Sequence, residues 1–232
     1  MEAHGITEIG RLAPDAQRRR EPLASAAVRR MLDFTLASLL LLVSAPLLLA
    51  IVVAIRLESG GPAIFRQPRL GRGMRPFTVN KFRTMLPDAD PSPHLEYVRA
   101  LISADSGHAR TGGRNLYKLA VDDRVTRVGR FLRRFSLDEL PQLWNVVRGE
   151  MSLVGPRPVI AYEAERYPAW YRERFAVKPG MTGLWQVSGR NEKTYEEMVR
   201  LDIEYARRRR LVLDVAILFK TVWVVVRARG AA

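Results

Sequence analysis

Cysteine is absent from this chain and histidine nearly so, with only His4, His94 and His108. The first absence excludes a disulfide framework, a zinc ribbon and a thiol nucleophile. Three histidines this scattered make a histidine-built metal cluster a poor prospect. No GxxxxGK[ST] or GxSxG motif occurs, so neither a P-loop nor a nucleophile elbow can be read from the chain. Lysine is scarce as well: of 38 basic residues 33 are arginine, set against 24 acids for a net charge of +14. An arginine-built surplus points to an anionic partner: nucleic acid, an anionic membrane surface or a phosphate-rich substrate. Codon bias in a GC-rich genome would produce much of the same surplus. The length of 232 residues suits one domain with a real core, and a hydrophobic content of 47% excludes wholesale disorder.

One stretch has no charge at all. Phe34 to Ile55 reads FTLASLLLLVSAPLLLAIVVAI, roughly 33 Å as a helix and enough to cross a hydrocarbon core of about 30 Å. It starts too late and runs too long for a cleaved signal peptide. Pro46 sits at its centre, removing one ladder bond, and Ser44 could help satisfy a freed backbone group. Arg29 and Arg30 precede the run, and Arg56, Arg66, Arg69, Arg72 and Arg75 follow it. Positive residues favour the cytoplasmic side, so both ends ask to be inside. A helix broken near Pro46 and returning to the same face satisfies both ends. A proline-kinked helix crossing the bilayer satisfies one, and the residues alone leave both open. The organisation expected is a basic flexible tail over 1–25, a membrane anchor over 26–58 and a cytoplasmic catalytic domain over 59–232.

Beyond the anchor, residues 63–67 and 77–83 read as two short strands joined at Gly71-Arg72-Gly73. Residues 86–115, rich in Pro, Asp, Ser and Gly, read as a flap. Helical spacing marks 125–135 and 141–147. Two glycines and two prolines make 149–158 a loop, and 162–175 reads as a helix with aromatic residues on one side. Residues 178–190 are turn-rich, and 193–210 form a charged helix. The apolar 211–226, preceded by Arg207 to Arg210, suits an interfacial helix on an anionic leaflet, or a buried helix packed on the core. The fold class expected is α+β and mainly helical, with a short β-hairpin and interfacial amphipathic helices around one catalytic domain.

The densest chemistry lies in DDRVTRVGRFLRRFSLDELPQLWNVVRGEMSLVGPRP, residues 122–158. Asp138 and Glu139 are adjacent carboxylates among seven arginines, including Arg133 and Arg157. Such a pair can hold a divalent cation and supply a nucleophile or base. The arginines suit a multiply charged phosphate. The competing reading is a capping box, Ser136 as N-cap and Glu139 as the returning side chain. Lys81 and Arg83 close a strand, reaching a phosphate or merely discouraging strand pairing. Arg157 sits on a stiff backbone between Pro156 and Pro158. Trp185, Gln186 and Arg190 could cradle a nucleoside, although Trp185 suits a core equally well.

These residues carry a resemblance. GPAIFRQPRLG, KFRTM, the SLDELPQ and MSLVGPRP pair, and KPGMTGLWQVSGRN occur in this order behind a proline-broken apolar segment. The chain resembles the bacterial sugar transferases that act as monotopic polyprenyl-phosphate phosphoglycosyl transferases, in its small exopolysaccharide-type form. The match runs from about Arg29 to about Val226. The resemblance implies transfer of a sugar-1-phosphate, in this branch a hexose phosphate, from a UDP-sugar to undecaprenyl phosphate. UMP would be released, through a covalent phosphoglycosyl-aspartate. It implies Asp138 as nucleophile and Glu139 as partner in holding Mg²⁺, with Lys81, Arg83, Arg133 and Arg157 around the phosphates. It also favours a re-entrant helix with Ser44 and Pro46 at the membrane break. The site would face the cytoplasm at a bacterial inner membrane, among anionic lipids, with self-association allowed for. Nucleic acid is disfavoured, because acids are embedded among the arginines. The rival is a non-enzymatic membrane-anchored scaffold of a glycan-assembly complex, in which Asp138 only helps shape a helix start.

Overall fold

The computed structural model describes residues 22–90, 122–189 and 193–226. Residues 1–21 of the expected tail and most of the expected flap therefore lie outside the described residues, while Leu23 to Ser25, expected in the tail, already belong to the first helix. The described chain is α+β and mainly helical. A 37-residue helix, α1 (Leu23–Ser59), leads into an antiparallel hairpin, β1 (Ile64–Leu70) and β2 (Pro76–Phe82). Helices α2 (Arg127–Arg134) and α3 (Gln142–Arg148) follow, joined through a 3₁₀ turn at Leu137–Glu139. Then come β3 (Ser152–Val154), α4 (Ala161–Ala164), a 3₁₀ segment Ala169–Ala176 and β4 (Gly180–Thr182). A 3₁₀ turn at Trp185–Val187 precedes α5 (Tyr195–Arg208) and α6 (Leu211–Val226).

The hairpin matches its sequence signature. Its register runs from Ile64 opposite Phe82 to Leu70 opposite Pro76, with a left-handed Gly73 (φ 66°) in the turn. Two other expectations change. Residues 149–158 are not all loop: Ser152–Val154 pairs in parallel with Gly180–Thr182. The glycines and prolines bound this strand without entering it, and Gly149 serves instead as the left-handed cap of α3 (φ 77°). The aromatic segment 162–175 is not one helix, because Pro168 disfavours the α conformation of Tyr167 and divides it into α4 and a 3₁₀ segment.

Helix α1 is part of the core. Arg29, Asp33, Ala37, Ile51 and Ile55 are buried along one side, at spacings of roughly one or more helical turns. Ala37 packs with Val79, Leu143, Val146 and Ile217, while Ile51 and Ile55 pack with Ala63, Phe82 and Leu132. Each isoleucine stabilises the fold by about 1.5–3 kcal/mol through burial. Polar ties hold the first half. Arg29 Nε meets Asp214 Oδ2 at 2.6 Å, and Arg30 donates to the carbonyls of Val146 (2.7 Å) and Val147 (2.6 Å). Asp33 accepts from Ser152 Oγ at 2.7 Å and the Leu153 amide at 2.9 Å. At the far end Glu58 receives the first amides of α2, from Arg127 at 2.7 Å and Val128 at 3.0 Å.

The opposite side of α1 is bare: Leu39, Leu40, Leu42, Val43 and Leu49 are exposed. Helix α6 repeats this division, burying Asp214 and Ile217 while exposing Val212, Phe219, Val222 and Trp223. The helical backbone of α1 runs through Pro46, so the expected interruption is not a break in secondary structure. Proline's φ near −65° is itself helical, and the cost falls on the Leu42 carbonyl, which loses its i+4 donor. Ser44 does not serve that carbonyl; its hydroxyl donates to Leu40 O at 2.6 Å.

Candidate active site

The site is built at the corner between α2 and α3. Thr126 caps α2, its Oγ1 accepting from the Gly129 amide at 2.9 Å. After the helix ends, Ser136 takes a left-handed conformation (φ 55°, ψ 24°), which costs a non-glycine residue about 1–3 kcal/mol and turns the chain sharply. Its side chain caps nothing. Oε1 of Glu139 takes Lys81 Nζ from β2 at 2.9 Å. Without the bond from the Ser136 side chain, the capping box is not formed. The corner is shaped to present its acids toward the hairpin.

Asp138 is engaged by no other side chain through a hydrogen bond or ion pair among the described residues. Burial pushes its carboxyl above the ordinary aspartate value, Glu139 adds to the rise, and Lys81 and Arg133 oppose it. Arg133 is lowered by its own burial, against the pull of Asp138 and Asp122, and its Nε donates to Thr84 Oγ1 at 2.9 Å. The four groups Lys81, Arg133, Asp138 and Glu139, drawn from β2, α2 and the corner, thus form one electrostatic unit.

Beside this unit opens a shallow cleft, whose lining includes Arg69, Lys81, Glu139, Gln142, Arg157 and Gln186. Asp138 is not part of that lining, although its chain neighbour Glu139 is. Arg157 extends an exposed guanidinium into this space, while its backbone is held from behind by Arg174 Nη2, which donates to Arg157 O at 3.4 Å. Arg174 is itself ion-paired with the fully buried Asp202. Gln186 is fixed through Nε2 to Met181 O at 3.2 Å.

The sequence-predicted residues divide accordingly. Lys81, Arg133, Asp138, Glu139, Arg157 and Gln186 converge. Arg83 does not join them: it is buried, and donates to Ser59 Oγ at 2.9 Å and to Gly60 O, tying down the end of α1. Arg190 lies outside the described residues. Trp185 is 8% exposed and belongs to the interior. Arg207 and Arg208, read as lipid contacts, are engaged by Glu173 (2.5 Å) and Glu204 (2.8 Å).

Two residues were missed. Arg69 is buried, gripped by Gln67 Oε1 at 2.6 Å and Pro158 O at 3.1 Å, and pushed down to about 10 by burial and by Arg157. Only pairing of the hairpin with the GPRP segment could have disclosed it. Gln142 had a sequence signal, its place four residues after Asp138 on one helical turn.

Comparison with known proteins identifies the family. The model of the family described as bacterial sugar transferase matches residues 24–228. A UDP-galactose-lipid carrier transferase of Erwinia amylovora is 44% identical over 90% of this chain and 42% of its own length. An undecaprenyl-phosphate galactose phosphotransferase of Salmonella typhimurium is 42% identical over the same shares, 90% and 42%. The exopolysaccharide production protein ExoY of Rhizobium meliloti is 41% identical over 88% of this chain and 87% of its own. The chain thus spans less than half the length of the Erwinia and Salmonella proteins.

Proposed function

Since the chain belongs to the bacterial sugar transferase family, we propose that it transfers a sugar-1-phosphate from a UDP-sugar to undecaprenyl phosphate, releasing UMP. The observation that carries this is the carboxylate Asp138, left unpaired by other side chains beside a cleft lined with Lys81, Arg69 and Arg157. In the first half-reaction Asp138 attacks the sugar-bearing phosphorus. The bond from that phosphorus to the bridging oxygen breaks, and UMP leaves with the electron pair. In the second, a phosphate oxygen of undecaprenyl phosphate attacks the same phosphorus. This gives the lipid-diphosphate sugar and returns the carboxylate of Asp138. A soluble donor and a membrane-bound acceptor thereby use one site in turn.

The positive groups have separable tasks. Lys81 holds Glu139 and faces the cleft, where it offsets the charge of the diphosphate. Arg157 reaches from the opposite wall, and Gln186 lies toward the nucleotide side. Asp138 and Glu139 would be the oxygen donors for a hard divalent cation; no group of three or more His, Cys, Asp or Glu occurs among the described residues, so most of the shell would come from water and substrate. Mg²⁺ held by these two carboxylates would complete its shell with water and substrate phosphate and neutralise the repulsion between diphosphate and nucleophile.

The test is a panel of UDP-hexoses with undecaprenyl phosphate and Mg²⁺, read as UMP release. At least one donor is expected to turn over, and EDTA is expected to stop it. No UMP from any donor would refute the proposal.

We place this chemistry at the cytoplasmic face of a bacterial inner membrane, with α1 entering the bilayer and returning. Both ends of α1 are tied to one body, by Arg29 and Arg30 at the start and Glu58 and Ser59 at the finish. A straight crossing would separate those ends by a hydrocarbon core of about 30 Å. The absence of cysteine makes a direct test simple. Single cysteines at the exposed positions Leu23 and Leu57 should both be labelled by an impermeant maleimide from the cytoplasmic side of inverted vesicles. Labelling from opposite sides would establish a crossing helix.

A further inference from the structure

Helix α3 carries two buried side-chain amides that differ in what they bond. Asn145 is 1% exposed and fully used. Its Nδ2 donates to Thr78 O at 2.6 Å and Glu150 Oε2 at 2.7 Å. Its Oδ1 accepts from the amide and side chain of Asn80, each at 3.1 Å. Gln142, one turn earlier, is 3% exposed, and its amide has no hydrogen-bond partner among the described residues. It faces the cleft beside Lys81, Glu139 and Arg157. The residue is buried as a whole, yet its amide atoms are not shut away from solvent; they open onto the cleft, where a ligand that displaces water can bond them.

We propose that Gln142 is a specificity-determining residue of the donor site, its amide hydrogen-bonding a hydroxyl of the sugar being transferred. The inference rests on the function proposed above and adds the group that the site reads. Chemistry separates the sugar from the other parts of the donor. Phosphate oxygens only accept, and Lys81, Arg69 and Arg157 already provide charged donors for them. A neutral amide offers one acceptor and two donor hydrogens, which matches a hydroxyl that both gives and takes a hydrogen bond. Uracil also presents both kinds of group, but a ribose and a phosphate separate it from the reacting phosphorus. Gln142 opens α3 four residues after Asp138, which lies in the preceding 3₁₀ turn, and the moiety next to an attacking Asp138 is the hexose on that phosphorus.

The experiment is a cycle in which protein and donor are each altered. The wild-type chain is first assayed with UDP-glucose and UDP-galactose, and then with the 2-, 3-, 4- and 6-deoxy forms of the better donor. One deoxy donor should lose about 30-fold or more in kcat/KM, the expected effect of leaving a buried amide unmatched. In Gln142→Met, of similar shape without the amide, the parent donor should fall by a comparable factor. The extra penalty for that deoxy donor should then shrink to within about threefold, because the two changes remove the same bond. Gln142→Asn, which keeps a shorter amide, provides the same readout should the methionine variant fold poorly. If Gln142 only shapes the helix, all donors fall together and the deoxy penalty persists in both variants, which overturns the inference while leaving the transfer reaction standing. Failure of the wild-type chain to release UMP from any donor overturns both.

Discussion

Asp138→Asn is expected to lower UMP release by about 10⁴-fold, the scale on which removal of a covalent nucleophile acts, with no loss of folding. The second half of this expectation distinguishes a reacting group from a structural one. The Asp138 carboxylate bonds to no other side chain among the described residues, so asparagine removes no contact. Burial already pushes its pKa above the aspartate value of 3.8. In metal-free buffer, then, the folded chain holds this proton more tightly than the unfolded chain. The associated stability is present below the unfolded pKa and is lost as pH rises through the folded one. Asparagine escapes that loss, so the variant's melting temperature at neutral pH should equal or exceed the parent's. A variant that turns over normally would remove Asp138 from the chemistry and leave the attacking group to be found elsewhere.

Asp202→Asn is expected to do the reverse, destabilising the fold by about 3–5 kcal/mol, the cost of leaving a buried charge without its partner. Arg174 and Asp202 are 5% and 0% exposed in their side chains, and Arg174 also donates to Tyr167 Oη at 3.2 Å. Burial lifts the Asp202 carboxyl to about 6 against the pull of Arg174, so attraction does not fully offset desolvation. The pair is therefore costly to break yet not a large net source of stability. Replacing both residues, as Arg174→Met with Asp202→Leu, should recover most of the loss. Thermal melts of the three variants read this directly. The double variant also releases the grip on the Arg157 backbone, so its recovered stability should not be matched by recovered transfer.

What the sequence could disclose follows from the range of each interaction. The hairpin, the anchor and α5 with its Thr194–Glu197 capping box depend on local patterns of apolar spacing, turn residues and caps. Ser152–Val154 was hidden because its partner lies 28 residues away at Gly180, and pairing at that distance leaves no periodic mark in three residues. Asp138 and Glu139 stood out by composition, whereas the partner that engages Glu139 is Lys81, 58 residues away. Arg83 shows the opposite failure. Two residues from Lys81 in one strand, it shares the charge but not the destination, since the end of α1 claims it. Arg69 needed the hairpin to meet Pro158, a contact across 89 positions.

The two-ended docking of α1 also governs how the protein can be made. Arg29 and its partner Asp214 are separated by 185 positions, so this tie on α1 cannot form until α6 has been made. During that interval the apolar surface of α1 must be sheltered by lipid or a chaperone, and assembly will be slow, as for any closure of such long loops. Cutting the helix away would not release a soluble enzyme. It would strip Ala37, Ile51 and Ile55 from the interior and strand Asp214, leaving a fragment whose own hydrophobic centre stays unfinished.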